Sequence, residues 1–193
     1  MGIFPVYFVI MIFLYLLLVI LLIAVFVVFV SVITMQLVAI FTTDAPFVPV
    51  PNKTEDDIIK ILELKTGSIL YDLGCGDGRI LIKAVEKHPE IKAVGVDVGF
   101  LPYLLAKFYT RNYKNIEVKR EDIFKTDISP ATHIFLYLYP KVINKLIINI
   151  RKQCKPNTRI VSCDFEFDNL PPTQTIELDT TSLRGKKLFV YSL

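Results

Sequence analysis

The sequence predicts an α/β domain with a doubly wound, mostly parallel sheet and a closing antiparallel hairpin, set behind one N-terminal transmembrane helix. Three observations lead there. Val6 to Val30 is an almost unbroken run of Val, Ile, Leu, Phe, Met and Tyr, and no Asp, Glu, Lys, Arg or His occurs before Asp44. Beyond it, short apolar runs alternate with amphipathic stretches of about twelve residues, the rhythm of right-handed βαβ units. The stretch "YDLGCGDGRI", Tyr71 to Ile80, places Gly74, Gly76 and Gly78 at alternate positions straight after the first of those runs.

The apolar run comes first in the chain. It is long enough to cross a hydrocarbon core of roughly 30 Å at about 1.5 Å per residue. A cleaved signal peptide would want a basic start, a short apolar stretch and a small-residue cleavage site, and none is present. Two spans would need a turn, yet no Gly, Pro, Asn or Asp lies between Val6 and Thr43. Ser31, Thr34 and Gln36 suggest a single helix that leaves the hydrocarbon near residue 30 and continues through the interface. Residues 1–42 are therefore the anchor.

Residues 43–53 form a linker, because Pro46, Pro49 and Pro51 forbid helix and central strand. The domain proper is 54–193. Asn52 or Thr54 can cap its first helix, with Glu55, Asp56 and Asp57 in the first turn where the macrodipole favours acids. Ile58, Ile59, Ile61, Leu62 and Leu64 give that helix an apolar face, and Gly67 is the expected stop. Strand 68–73, helix 77–88, strand 91–98 and helix 100–112 follow, Pro102 being tolerable in a first turn. Strands 115–122 and 132–139, helix 141–154 and strand 158–165 come next. Residues 173–181 and 186–193 read as the closing hairpin, joined through "SLRG".

Charge excludes some classes. The 22 basic and 19 acidic residues all follow the anchor, and the net charge of +3 lacks the clustered basic footprint of a nucleic-acid binder. Three cysteines without a CxxC pair and two histidines give neither a disulfide framework nor a metal-site spacing. No metal is expected, and a reducing, cytosol-facing compartment fits.

In a doubly wound sheet, ligands bind beyond the carboxyl ends of the strands, where strand order reverses. The glycine turn lies there, and glycines let the backbone bend and approach a ligand without a Cβ in the way. The dinucleotide fingerprint is G-x-G-x-x-G; here the spacing is G-x-G-x-G, with Asp72 two residues ahead of the first glycine. A carboxylate there is poor company for phosphates and suits a cationic amino-acid moiety. Asp97, ending the second strand, is placed to accept two ribose hydroxyls. Cys75 reads as a small filler, and His88 and His133 have no catalytic partner in view.

"YDLGCGDGR" resembles motif I of the class I S-adenosylmethionine-dependent methyltransferases, a Rossmann-like fold. The resemblance implies S-adenosylmethionine as cofactor, held by Tyr71, Asp72, Gly74, Gly76, Gly78 and Asp97. It also implies that "REDIF" is an adenine-binding turn, with Asp122 taking the amino group and Ile123 packing on the ring; Glu121 is the rival for the first role. Together with "APFVPVP", "FLYLYP" and "SCDFEF", the motif is similar to a small family of archaeal and mitochondrial protein lysine methyltransferases, the latter acting on the c-ring protein of ATP synthase and the adenine nucleotide translocase. The similarity covers about residues 45–193. It departs from the family at Cys163, where His or Tyr is frequent, and at "DNLPP", where a Trp is expected; both bear on the substrate. "YLYP" lacks the Asn/Asp-Pro-Pro-aromatic of adenine and glutamine amide methyltransferases.

A lysine must arrive as the neutral amine, which aromatic side chains around it favour. Phe47, Tyr137, Tyr139 and Phe165 are candidates, and Asp164 or Glu166 could orient the amine or take its proton. The expected partner is a lysine of a protein, a membrane protein in particular, with the domain facing the cytosol. Two other readings stay open: methylation of a quinone or lipid at the membrane, and a non-catalytic cofactor-binding module.

Overall fold

The computed structural model describes residues 4–42, 52–179 and 184–193. The chain divides into two units, Met1–Pro46 and Phe47–Leu193. Residues 43–51 of the expected linker, with Phe47 among them, and most of the hairpin connection lie outside the described residues.

The first unit is one uninterrupted helix, α1 (Phe4–Thr42), of 39 residues, about 58 Å at 1.5 Å per residue. Within it Tyr7–Met35 is long and apolar enough to cross a membrane, with mean hydropathy 3.6 over 29 residues and no side chain buried. The polar residues are absorbed locally. Ser31 Oγ donates to the Val27 carbonyl at 2.8 Å and Thr34 Oγ1 to Val30 at 2.9 Å, so neither hydroxyl is left without a partner.

The second unit alternates as the sequence predicts: α2 (Asn52–Leu62), β1 (Ile69–Leu73), α3 (Arg79–Lys87), β2 (Lys92–Val96), α4 (Phe100–Thr110), β3 (Ile116–Lys119), β4 (His133–Leu136), α5 (Pro140–Gln153), β5 (Arg159–Cys163), β6 (Gln174–Glu177) and β7 (Lys187–Ser192). Seven strands form one sheet in the order β3-β2-β1-β4-β5-β7-β6. The first five pair in parallel and β7 pairs antiparallel with both β5 and β6. Strand order reverses at β1, whose neighbours are β2 and β4.

Right-handed crossovers place α3 and α4 on one face and α5 on the other, because β1-β2-β3 and β1-β4-β5 run in opposite directions across the sheet. On the first face Ile58, Ile59 and Leu62 of α2 and Leu81 and Ala84 of α3 pack on Leu70, Val161 and Leu188 as a buried core. The segment after β3 is tied to α5: Gln153 Oε1 accepts the Ile128 amide at 3.0 Å, and Asn149 Nδ2 donates to the Phe124 carbonyl at 2.9 Å.

Two details differ from expectation. Helix α2 stops at Leu62 rather than at Gly67, with Glu63 in the left-handed region at φ 54°. Arg159 of β5 explains the early stop. Its Nε donates to the Ile61 carbonyl at 2.9 Å and its Nη2 to Glu63 at 2.8 Å, satisfying one of the orphan carbonyls at the helix end. Thr54 lies in the first turn of α2, where its buried Oγ1 has no partner among the described residues.

Candidate active site

The carboxyl end of β1 runs straight into the glycine turn. Gly74, Gly76 and Gly78 all have positive φ, at 88°, 58° and 81°, a region that L side chains adopt only with strain. The turn is pinned to the second strand, since the amides of Gly74 and Cys75 both donate to the Val96 carbonyl at 2.8 and 3.1 Å. A Cβ on Gly74 would lie 2.7 Å from Leu138 Cδ2, so the turn also presses against the end of β4. Gly78 precedes α3, and a Cβ there would crowd Thr110 and Ala106 of α4. Cys75 is the expected filler: it is 6% exposed, and burial pushes its thiol well above the ordinary range.

Asp72 and Asp97 face this turn with different surroundings. Asp72 pairs in register with Gly95, whose missing Cβ faces Leu81 of α3. The residue is 3% exposed, and its carboxyl is raised well above the usual range, first by burial and then by the charges of Asp97 and Asp77. No hydrogen bond or cation reaches it among the described residues. Asp97 follows β2 and braces the turn: Oδ2 accepts the Gly76 amide at 3.0 Å and Oδ1 accepts the Gly99 amide at 2.8 Å. Burial raises its pKa and those two amides oppose the rise. Asp77, by contrast, is paired with Arg79, which binds it through Nε and through Nη2 at 2.7 Å.

Tyr71 alternates with Asp72 along the strand and so points to the opposite face, where it is buried with Asp127, Glu117 and Glu121 as its electrostatic neighbours. Asp122 and Ile123, both half-buried, follow β3. Asp122 Oδ1 accepts the Phe124 amide at 3.0 Å and its carbonyl accepts the amides of Lys125 and Thr126. The turn is thus held from within, while Glu121 is exposed.

At the ends of β4 and β5 the structure joins two residues that the sequence had placed on separate strands. Tyr137 Oη donates to Asp164 Oδ2 at 3.0 Å. Asp164 has φ 62° and accepts three more bonds, from the amides of Gly185, Lys186 and Lys187 at 2.6, 2.7 and 3.3 Å. Its own amide donates to the Lys187 carbonyl at 2.8 Å. Asp164 is therefore a clasp between β5 and β7, with its acceptor sites filled. Burial and that hydrogen bond keep the Tyr137 phenol neutral well past its ordinary range. Tyr139 and Phe165 form a tilted ring pair with centroids 5.8 Å apart, and Glu166 is exposed. Adjacent strands lie about 4.8 Å apart, so the aromatic cluster over β4 and β5 sits within about 10 Å of the turn over β1. Sequence reasoning missed the Asp164 clasp, and only its register signals it: Leu136 pairs with Ser162, which sets Tyr137 and Asp164 just past the pairing. His133 begins β4, at the opposite end of the sheet.

The arrangement fits a compact organic cation. A buried acid without a counter-charge among the described residues, a backbone cradle kept free of side chains, and a second acid with unused lone pairs all lie beside the strand-order reversal.

Comparison with known proteins agrees. The profile of the ANTKMT methyltransferase domain matches residues 72–174. A protein-lysine N-methyltransferase from Saccharolobus islandicus is 32% identical over 142 residues, covering 72% of this chain and 88% of that protein. The human lysine N-methyltransferase named for the c-ring protein of ATP synthase is 28% identical over 134 residues, 66% of this chain, and the match spans about half, 54%, of the human protein. Among solved structures, an RNA methyltransferase from Salinibacter ruber in complex with S-adenosyl-L-homocysteine superposes with TM-score 0.70 and 31% identity, covering 75% of this chain and 93% of that one. The matched span opens at the buried acid of β1 and closes at the start of β6.

Proposed function

Because this chain belongs to the ANTKMT methyltransferase family, and is an S-adenosylmethionine-dependent methyltransferase, we propose that it methylates lysine side chains of proteins while α1 holds it in a membrane. The relatives named for lysine methylation support the substrate class. The observation that carries the reading in this chain is the Tyr137–Asp164 bond beside the Tyr139–Phe165 ring pair.

S-adenosylmethionine, when bound, supplies an electrophilic methyl on a sulfonium and leaves as the neutral thioether. The residues present divide its recognition among them. Asp72 offers charge to the ammonium of the methionine half. The alternate glycines admit that half against bare backbone. Asp97 keeps lone pairs for the ribose hydroxyls after bracing Gly76, since a carboxylate has about four acceptor sites. Asp122 and Ile123 take the adenine edge and face.

Little covalent assistance is needed for an in-line displacement, so alignment supplies most of the acceleration. A free lysine has a pKa near 10.4, and deprotonating it at pH 7 costs roughly 4 to 5 kcal/mol. Desolvation beside a fixed positive charge lowers that cost. Tyr137 has committed its proton to Asp164, which leaves the phenol oxygen as an acceptor for an amine N–H. That bond aims the nitrogen lone pair toward the methyl while Tyr139 and Phe165 exclude water and accommodate the methylammonium product. With the cofactor bound, the nitrogen's new bond to carbon would replace the carbon–sulfur bond, and the extra proton of the methylammonium product would pass to water.

The membrane part of the proposal rests on Tyr7–Met35. The cofactor belongs to the cytosol, so the domain lies on that side; Lys53 is a faint positive-inside signal. Residues 43–51 can extend at most roughly 30 Å, which keeps the site near the headgroups and raises the effective concentration of lysines on short loops of membrane proteins. Incubation of the full chain with labelled cofactor and host membranes, followed by mass spectrometry, tests the whole reading. Label on lysines of membrane proteins is expected. Label in lipid, quinone or RNA would overturn the substrate class, and a bound but untransferred methyl would make the chain a binding module.

A further inference from the structure

Helix α4 is apolar on the wrong side. Its inner face is accounted for by Ala106 and Thr110, which are buried, and by Tyr103, which packs against the core. The opposite face of a surface helix is ordinarily polar. Here it carries Phe100, Leu101, Leu104 and Phe108 at helical spacing, all exposed, Phe108 by 58%. Val98, just ahead of the helix, is exposed as well. Among the described residues, no other helix of the second unit shows more than one large exposed apolar side chain; α5 has only Ile148.

The rim of this stripe is basic and ordered. Arg111 places its guanidinium 4.1 Å from the Phe108 ring centre and donates to the Phe108 carbonyl at 2.6 Å. Arg120 sits 5.1 Å over the Phe100 ring. Lys107 and Lys114 add to it, and between Asp97 and Glu117 the chain carries no acid. Glu117 itself lies on β3 paired with Lys119 at 3.7 Å.

We propose that the outer face of α4 is a membrane-docking surface that seats on an anionic lipid leaflet, with Phe100, Leu104 and Phe108 entering the interface and Arg111 and Arg120 engaging headgroup phosphates. The inference rests on the membrane reading of α1. Phe and Leu flanked by Arg and Lys is the composition of helices that lie in the interfacial plane, and an exposed apolar stripe of this extent is not idle surface on a soluble domain. Charge complementarity selects lipid: the cytosolic leaflet is negative and attracts basic side chains within a Debye length.

The chain contains no Trp, which makes the test clean. Phe108→Trp introduces a single fluorophore on the stripe, and Ile148→Trp, in a separate variant, introduces one on α5 across the sheet. Each full-length variant is reconstituted into vesicles of brominated phosphatidylcholine and phosphatidylserine, after a cofactor-induced melting shift has shown that it is folded. The Phe108→Trp signal is expected to be blue-shifted and quenched by about half or more, since interfacial helices bury their apolar face ~5–10 Å deep; the Ile148→Trp signal should change little. Equal quenching at both positions, or none at Phe108→Trp, overturns the docking surface. Vesicles without phosphatidylserine should quench less, and equal quenching there overturns the role given to Arg111 and Arg120. Flotation separates the two readings: protein that fails to float with the vesicles overturns the anchor, whereas protein that floats with its α4 probe unquenched overturns only the docking.

Discussion

The Asp97 carboxylate accepts the backbone amide of Gly76 at 3.0 Å, so the residue proposed to read the ribose also holds the middle of the glycine turn in shape. Asp97→Ala removes both functions. Cofactor affinity should fall by about 1 to 3 kcal/mol, the worth of a charge-assisted acceptor, and calorimetry on the folded variant measures it. Gly76→Val, which forces a branched side chain to φ 58°, should abolish binding altogether. Unchanged affinity in either variant would place the ribose and methionine contacts elsewhere.

Asp72 gives a trade between stability and binding. Its carboxyl is raised by burial and by neighbouring acids, so the folded state holds a proton that the unfolded state gives up above the ordinary carboxylate range. Its contribution to stability is therefore full below that range and is lost as pH rises from it through the raised value of the folded state. Asp72→Asn should raise the melting temperature of the cofactor-free protein at neutral pH and shrink the cofactor-induced shift. Thermal melts with and without cofactor decide it; a variant with both values unchanged would show that Asp72 carries no charge in either state.

Tyr137 and Asp164 should separate by readout. Tyr137→Phe loses only a hydroxyl that aligns the amine, so kcat should drop about tenfold, equivalent to roughly 1.4 kcal/mol of barrier, with cofactor affinity retained. Asp164→Ala removes the acceptor of four hydrogen bonds and should lower the melting temperature by several degrees, about 2 kcal/mol or more. A stable Asp164→Ala protein with lost activity would reverse the two assignments.

His133 is lowered from 6.5 to about 4, by burial first and then by the charge of Arg159. Between those values the unfolded state binds the proton and the folded state does not, so the stability tied to a neutral His133 is present above pH 6.5 and lost as pH falls toward 4. Denaturation of wild type and His133→Gln across this window should show wild type losing ground as the pH falls. Parallel curves would mean that His133 titrates normally.

Removal of residues 1–42 leaves the core of the second unit intact, because every residue of its buried cluster lies beyond Ile58 or at it. The truncated enzyme should bind cofactor and methylate a free peptide as the full chain does, and label membrane-embedded substrate more slowly. Equal labelling of membranes would show that the anchor does not choose the substrate.

The glycine turn and the two acids beside it, which we propose hold the cofactor, were legible in sequence because each lies at the end of a single strand. The glycine turn, Asp72 and Asp97 are fixed by one strand end each, and local spacing reports a strand end well. The half proposed to receive the substrate is assembled across β4, β5 and β7, and local pattern carries no register between strands. Tyr137 and Asp164 could be named singly, but not their bond. Nor could the saturation of Asp164 by the amides of Gly185, Lys186 and Lys187, which arrive from a distant strand. The end of α2 was misplaced for the same reason: Gly67 is a local stop signal, whereas the actual stop is a cap donated by Arg159 from β5. The α4 stripe was written plainly in "FLPYLLAKFY", but an apolar helix in a parallel-sheet protein reads as core until the structure shows which face is covered.

The position of β7 sets an order on folding. It lies between β5 and β6 and is, among the described residues, the only strand that β6 pairs with, so Gln174–Glu177 has no place in the sheet until Lys187–Ser192 has been laid down. The Asp164 clasp likewise closes only when the backbone of residues 185–187 arrives. Such long-range closure is slow compared with local pairing. During synthesis α1 emerges far ahead of it, so under the anchoring proposed above the chain would reach a bilayer as an unfinished sheet with the edge of β5 open. Any delay in delivering β7 would expose that edge to neighbouring chains confined to the same surface.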